Sequence, residues 1–184
     1  MTQQTEQDQP GKDLVIRDIR LFADMFNSCA AARSKVICLD NLTSQIGTLK
    51  TVFNMSSNEI EQTLGITDSL INDAYFHSAL LAAHETLKQT DITVSRSEEF
   101  NLGMNINKAM QIREAAQYLE TARSNAPDID TYDKLYISFG TTPDNLEHLA
   151  REVENGKTYI APATTTLRRV LSGAPKINIP EPDR

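Results

Sequence analysis

From Leu14 onward the apolar residues Val15, Ile19, Phe22, Phe26 and Cys29 recur in steps of 4, 3, 4 and 3. That spacing lays a continuous stripe along one face of an α-helix. The stripe carries on through residues 30–32 towards Val36 and Ile37. Thr67 then reads as the N-cap of a helix over 68 to about 87, with Leu70, Ala74, Leu80 and Leu81 at helical spacing. Residues 88–103 are polar, with Asp91, Ser95 and Ser97, and predict a loop or hinge in which Ile92 and Val94 could make a short strand. Asn105 is expected to cap the next helix, whose inner face is Ile106, Ala109, Ile112, Ala116 and Leu119, with Lys108, Arg113 and Glu120 turned to water.

Residues 124–130, with Asn125, Pro127, Asp128 and Asp130, interrupt the periodicity and suggest a boundary. Beyond it, residues 132–139 lead to a turn at Gly140 and a helix whose start is well marked. Thr142 stands at the N-cap, and Pro143 takes the first helical position, where its missing N–H costs nothing. Asn155-Gly156 either ends that helix or turns a small β-hairpin over 151–160. A last short helix is expected at about 164–171, stopping at Gly173. The expectation is an all-α protein of about six helices: a disordered tail at 1–12, an N-terminal lobe at 13–124, a C-terminal lobe at 131–173 and a Pro-rich tail at 174–184.

Two segments in this pattern match each other. A helix-turn-helix needs a flexible residue at the turn, apolar residues before it and another some six positions after it. Leu135, Phe139, Gly140, Leu146 and Leu149 meet that requirement. Eighty-six residues earlier, Leu49, Phe53, Asn54 and Ile60 stand in the places of Leu135, Phe139, Gly140 and Leu146, with Ser56 for Thr142, Asn58 for Asp144 and Glu61 for Glu147. Asn is the next most willing residue at such a turn. The pair is either an internal duplication or a convergence on ordinary turn and cap chemistry. Both segments resemble helix-turn-helix modules in general, over a small part of the chain, and the resemblance implies a DNA-associated role.

Charge complicates that implication. The net charge of −7 is distributed as −2 over residues 1–66, −5 over 67–130 and zero over 131–184. A basic footprint over the whole protein is therefore missing. The second helices of the two units offer Ser57, Asn58, Glu59, Glu61 and Gln62, and Asp144, Asn145, Glu147 and His148. Acids there repel phosphate and forfeit counterion release. The better phosphate-seeking residues are Arg151, Lys157, Arg168 and Arg169, with Thr165 among the threonines preceding the arginine pair. In the hairpin alternative, Lys157 sits near the tip of a feature resembling the wing of a winged helix.

Catalytic and metal signatures are lacking. Gly156-Lys157-Thr158 resembles the end of a phosphate-binding loop, but Arg151 stands where that motif needs its first Gly. His77 and His84 share a helix face yet lie about 10 Å apart along the axis, too far for a helical metal pair. Cys29 and Cys38 have no His near in sequence. No stretch approaches the roughly 20 apolar residues of a membrane span, and the polar, Gln-rich start lacks a signal-peptide pattern. The reading is a cytoplasmic, non-enzymatic protein that binds neither metal nor cofactor. Its first functional expectation is a DNA-associated transcriptional regulator, or a subunit of a heteromeric one. The alternative is a helical adaptor or assembly protein, such as a secretion or phage component, that binds protein partners or a second copy through helical faces including Val15, Ile19, Phe22 and Phe26.

Overall fold

The computed structural model describes residues 9–90, 101–156 and 175–180. Among these residues there are seven α-helices and no strand: α1 (Gln9–Ser28), α2 (Ala32–Thr51), α3 (Ser57–Leu64), α4 (Asp68–Gln89), α5 (Asn101–Ser124), α6 (Ile129–Phe139) and α7 (Pro143–Glu154). The all-α expectation holds. Two boundaries differ from those read along the chain. The stripe from Val15 to Ile37 is not one helix, because Ala31 adopts an extended conformation (φ −81°, ψ 129°) and separates α1 from α2. Asn105 is not a cap, because α5 begins at Asn101 and buries Asn105 within it. The strand considered at Ile92 and Val94 and the helix at 164–171 lie outside the described residues.

Contacts divide the chain into two compact units, Met1–Ala74 with Pro175–Arg184, and Tyr75–Ala174. The division falls within α4, and the break at 124–130 lies inside the second unit. In the first unit the short link after Ser28 folds α2 back along α1, the helix-pairing that dominates the unit. Ile19, Ala23 and Phe26 of α1 meet a core that includes Val36, Leu39, Leu42, Ile46 and Leu49 of α2, and Ile60 and Leu64 of α3. The positions recur at three and four residues, so one face of each helix is committed to the interior. Ile19 and Phe26 are thus core residues rather than the partner-binding face suggested by the stripe.

The second unit is built on α5 packed along α7. The buried face of α5 is Ala109, Ile112, Ala115, Leu119 and Ala122, and that of α7 is Leu146, Leu149, Ala150 and Val153. Small alanines between the larger side chains let the two backbones approach closely. Ile106, expected inside, is exposed, because α5 starts earlier and its inner face is rotated onto Asn105. Leu135 and Phe139 of α6 are also buried.

Candidate functional site

Both expected helix corners are present. At the first, Asn54 takes a positive φ of 51° and the Met55 N–H donates to the Leu49 carbonyl at 3.0 Å. Ser56 caps α3 by accepting from the Glu59 N–H at 3.3 Å, and the Glu59 carboxylate accepts in return from the Ser56 N–H at 2.7 Å. The Ser56 N–H, joined by the Ser56 hydroxyl donating at 2.8 Å, holds the Glu59 carboxyl below its usual range. At the second corner Gly140 takes a φ of 87° and its N–H donates to the Tyr136 carbonyl at 2.9 Å. Thr142 then caps α7 by accepting from the Asn145 N–H at 3.2 Å, with Pro143 in the first turn.

The residues singled out for phosphate are not brought together by the described structure. Arg151 is exposed on α7, and its Nε donates to the Glu147 carboxylate at 3.2 Å. Lys157, Thr165, Arg168 and Arg169 lie outside the described residues. A hairpin beginning at Arg151 is excluded, because α7 stays helical through Glu154 and Asn155 forms its C-cap. Lys157 to Ile160, the rest of that candidate hairpin, is also outside the described residues.

Arg113 was expected in water, yet it turns its guanidinium onto α7. Its Nε donates to Glu147 at 3.1 Å and its Nη2 to Glu154 at 2.8 Å, while Nη1 also reaches Glu154. Arg113 is held charged, above its ordinary value, chiefly by the hydrogen bonds to Glu154. Glu154 is correspondingly pulled down by Arg113. Glu147 therefore serves the α5–α7 packing, and the exposed face of α7 is Asp144, Asn145, His148 and Arg151. On α3 the exposed residues include Ser57, Asn58, Glu61 and Gln62. Neither face is basic.

Chemical sites are equally sparse. Among the described residues no group of three His, Cys, Asp or Glu side chains could hold a metal ion, and no helix is long and apolar enough to cross a membrane. Burial pushes the His84 imidazole below its ordinary value, favouring the neutral ring. Burial likewise raises the Cys38 thiol, the opposite of what a nucleophile needs. A cleft lined by Ile46, Lys50, Ile60, Ile66 and Asp68 encloses about 120 Å³, well below the roughly 300–1,000 Å³ of small-molecule sites.

The most elaborate recognition geometry lies where the sequence offered no motif. Residues 175–180 sit against the first unit, and Ile177 is only 1% exposed. The Asn27 side chain takes both backbone groups of that residue. Its Nδ2 donates to the Ile177 carbonyl at 2.7 Å, and its Oδ1 accepts from the Ile177 N–H at 3.0 Å. A carboxamide here does what a neighbouring β-strand would do. Two turns earlier on α1, Arg20 Nη2 donates to the Pro180 carbonyl at 3.4 Å. Seven helical residues rise about 10 Å, and three extended residues span about 10 Å, so the segment runs extended and antiparallel to α1.

Burial within the segment confirms an alternating register: Ile177 is buried and Ile179 half-buried, while Lys176 and Asn178 are exposed. Gly65, which ends α3 at φ 65°, forms another wall. A Cβ built there would lie 3.3 Å from Pro180 Cδ and 3.7 Å from the Asn178 carbonyl. The one sequence signal for this seat is the alternation of Ile177 and Ile179 with polar residues between Pro175 and Pro180. No family model, curated protein or solved structure matches the chain.

Proposed function

We propose that the chain is a non-enzymatic helical adaptor whose first unit receives an extended segment of a partner protein. The observation that carries this reading is the paired hydrogen bond between Asn27 and the Ile177 backbone. Backbone pairing supplies affinity for any extended chain, and a buried aliphatic anchor supplies selectivity, the division of labour seen when peptides add to sheet edges. Here an asparagine replaces the sheet edge. The seat is formed by folded helices, so it needs little ordering when a ligand arrives.

The test is fluorescence anisotropy with a labelled peptide of the sequence of residues 175–180, titrated with full-length protein carrying Ile177→Ser. That change removes the anchor of the resident segment. Saturable binding that weakens with Asn27→Ala is expected; absence of binding at millimolar protein would overturn the proposal.

A second reading, a DNA-associated transcriptional regulator or a subunit of one, draws support from the two capped, positive-φ helix corners. In it Arg151, Lys157, Thr165, Arg168 and Arg169 contact phosphate, and a basic partner subunit supplies the charge that the helices lack. It predicts affinity for a random-sequence duplex pool that falls steeply with salt and drops in an Arg168→Ala/Arg169→Ala variant. Salt-independent or absent binding by the protein alone counts against direct DNA contact.

A further inference from the structure

We infer that α1 carries a self-association face, and that its occupant is a second copy of this chain lying antiparallel against the same helix. The face is separate from the seat for residues 175–180 and does not depend on it.

Each residue of an α-helix is turned about 100° from the one before it. Ile19, Ala23 and Phe26 fill the core of the first unit, while Leu14, Leu21 and Met25 on the opposite side of α1 are 50%, 54% and 43% exposed. With Asp18 these three recur in steps of 4, 3 and 4, the spacing of a coiled-coil seam. Residues 1–8 and 181–184, which complete the first unit, hold no Val, Ile, Leu, Phe or Tyr that could cover it. Arg20 and Asn27, which hold residues 175–180, lie on a third side of the helix, about 130° round the axis from Leu14.

The margins of the seam choose the occupant and its direction. One edge carries Arg17 and Asp24, both exposed; the other carries Val15 and Phe22, both half-buried. In an antiparallel pair of identical helices each edge meets its own counterpart. Arg17 then faces Asp24 of the second copy twice over, and Val15 faces Phe22 in the same way. A parallel pair would set Arg17 against Phe22, and Asp18 against Asp18 in the middle of the seam, where like charges repel. The antiparallel pair offsets the two Asp18 side chains, each opposite Leu21, and each keeps Arg17 of its own helix at 3.6 Å. Leu14 meets Met25 of the second copy. With the seam about 17 Å long, the contact falls at the small end of specific interfaces, and a polar residue within it costs further stability. The dimer is therefore weak and concentration-dependent.

The experiment is sedimentation velocity of the full-length chain across a concentration series reaching millimolar, with helical content checked by circular dichroism. Wild type should pass from monomer to dimer. Asp18→Leu completes the seam and should lower the dimer Kd at least about tenfold, and Leu21→Asp, at an exposed position, should raise it by as much. Arg17→Asp should weaken the dimer. Adding Asp24→Arg to that variant should restore it, because the pair is rebuilt with its signs exchanged. A chain that stays monomeric at millimolar concentration overturns the inference. So does a dimer indifferent to both Asp18→Leu and Leu21→Asp, which would form through another face. Failure of the charge exchange to restore association refutes the antiparallel arrangement. A dimer lost in Asn27→Ala would come from exchange of residues 175–180 between copies, and would overturn the seam while leaving the seat.

Discussion

At the α2–α3 corner the left-handed residue is Asn54 and the aromatic before it, Phe53, is half-buried; at the α6–α7 corner Gly140 takes that place and Phe139 is buried to 1%. The first corner buries Met55 instead, and Phe53 lies against Gly11 of α1, where an added Cβ would stand 3.4 Å from its ring. Backbone and cap chemistry repeat, because a positive φ followed by a Ser or Thr cap solves the same orphan-donor problem twice. The packing around them does not repeat. Even the acids are spent differently: Glu59 closes its own cap, whereas Glu147 is drawn onto Arg113. Similar turns therefore imply similar local geometry and leave function undecided.

The sharpest way to break the comparison is to truncate the matched aromatics. Phe139→Ala should cost about 3–5 kcal/mol in denaturant unfolding, as for a filled core position, and Phe53→Ala less, about 2 kcal/mol, because part of its side chain already meets water in the folded protein. Equal losses would mean that the two cores are alike after all. The turn residues come next. Gly140→Ala forces a Cβ into a left-handed conformation at about 1–2 kcal/mol, whereas Asn54→Gly should change thermal stability by less than about 0.5 kcal/mol.

The caps should then look alike: Ser56→Ala and Thr142→Ala are each expected to cost about 1 kcal/mol in chemical denaturation. A negligible effect at one of them would end the parallel at the backbone level. The smallest and most specific effect concerns acid. Arg113 depresses the Glu154 carboxyl, so the stabilisation is complete above the unfolded carboxylate value and is lost as pH falls through the lower folded value. Stability measured from pH 7 to pH 3 should fall more in wild type than in Arg113→Gln, and parallel curves would show that the pair contributes nothing.

What could be read along the chain was what is local. Helical periodicity, the Thr142-Pro143 start, the Ser56 cap and the willingness of Asn54 and Gly140 to turn depend on residues within one or two turns of each other. Burial partners are a different matter. Phe53 and Phe139 occupy equivalent places in the pattern, and only the tertiary neighbours decide which is filled. Arg113 looked solvated because Glu147 and Glu154 lie 34 and 41 residues away. The seat for residues 175–180 was least legible, since Asn27 and Ile177 are separated by 150 residues and neither belongs to a motif. Of the residues expected to meet phosphate, Arg151 alone falls among those described, and its engagement by Glu147 came from a helical neighbour four positions back.

The most direct test of the docking account is to map amide chemical shifts of isotopically labelled, full-length Ile177→Ser protein as unlabelled peptide with the sequence of residues 175–180 is added. Saturating shifts centred on Arg20, Asn27 and Gly65 are predicted. No shifts, or shifts centred on the exposed face of α7, would contradict it.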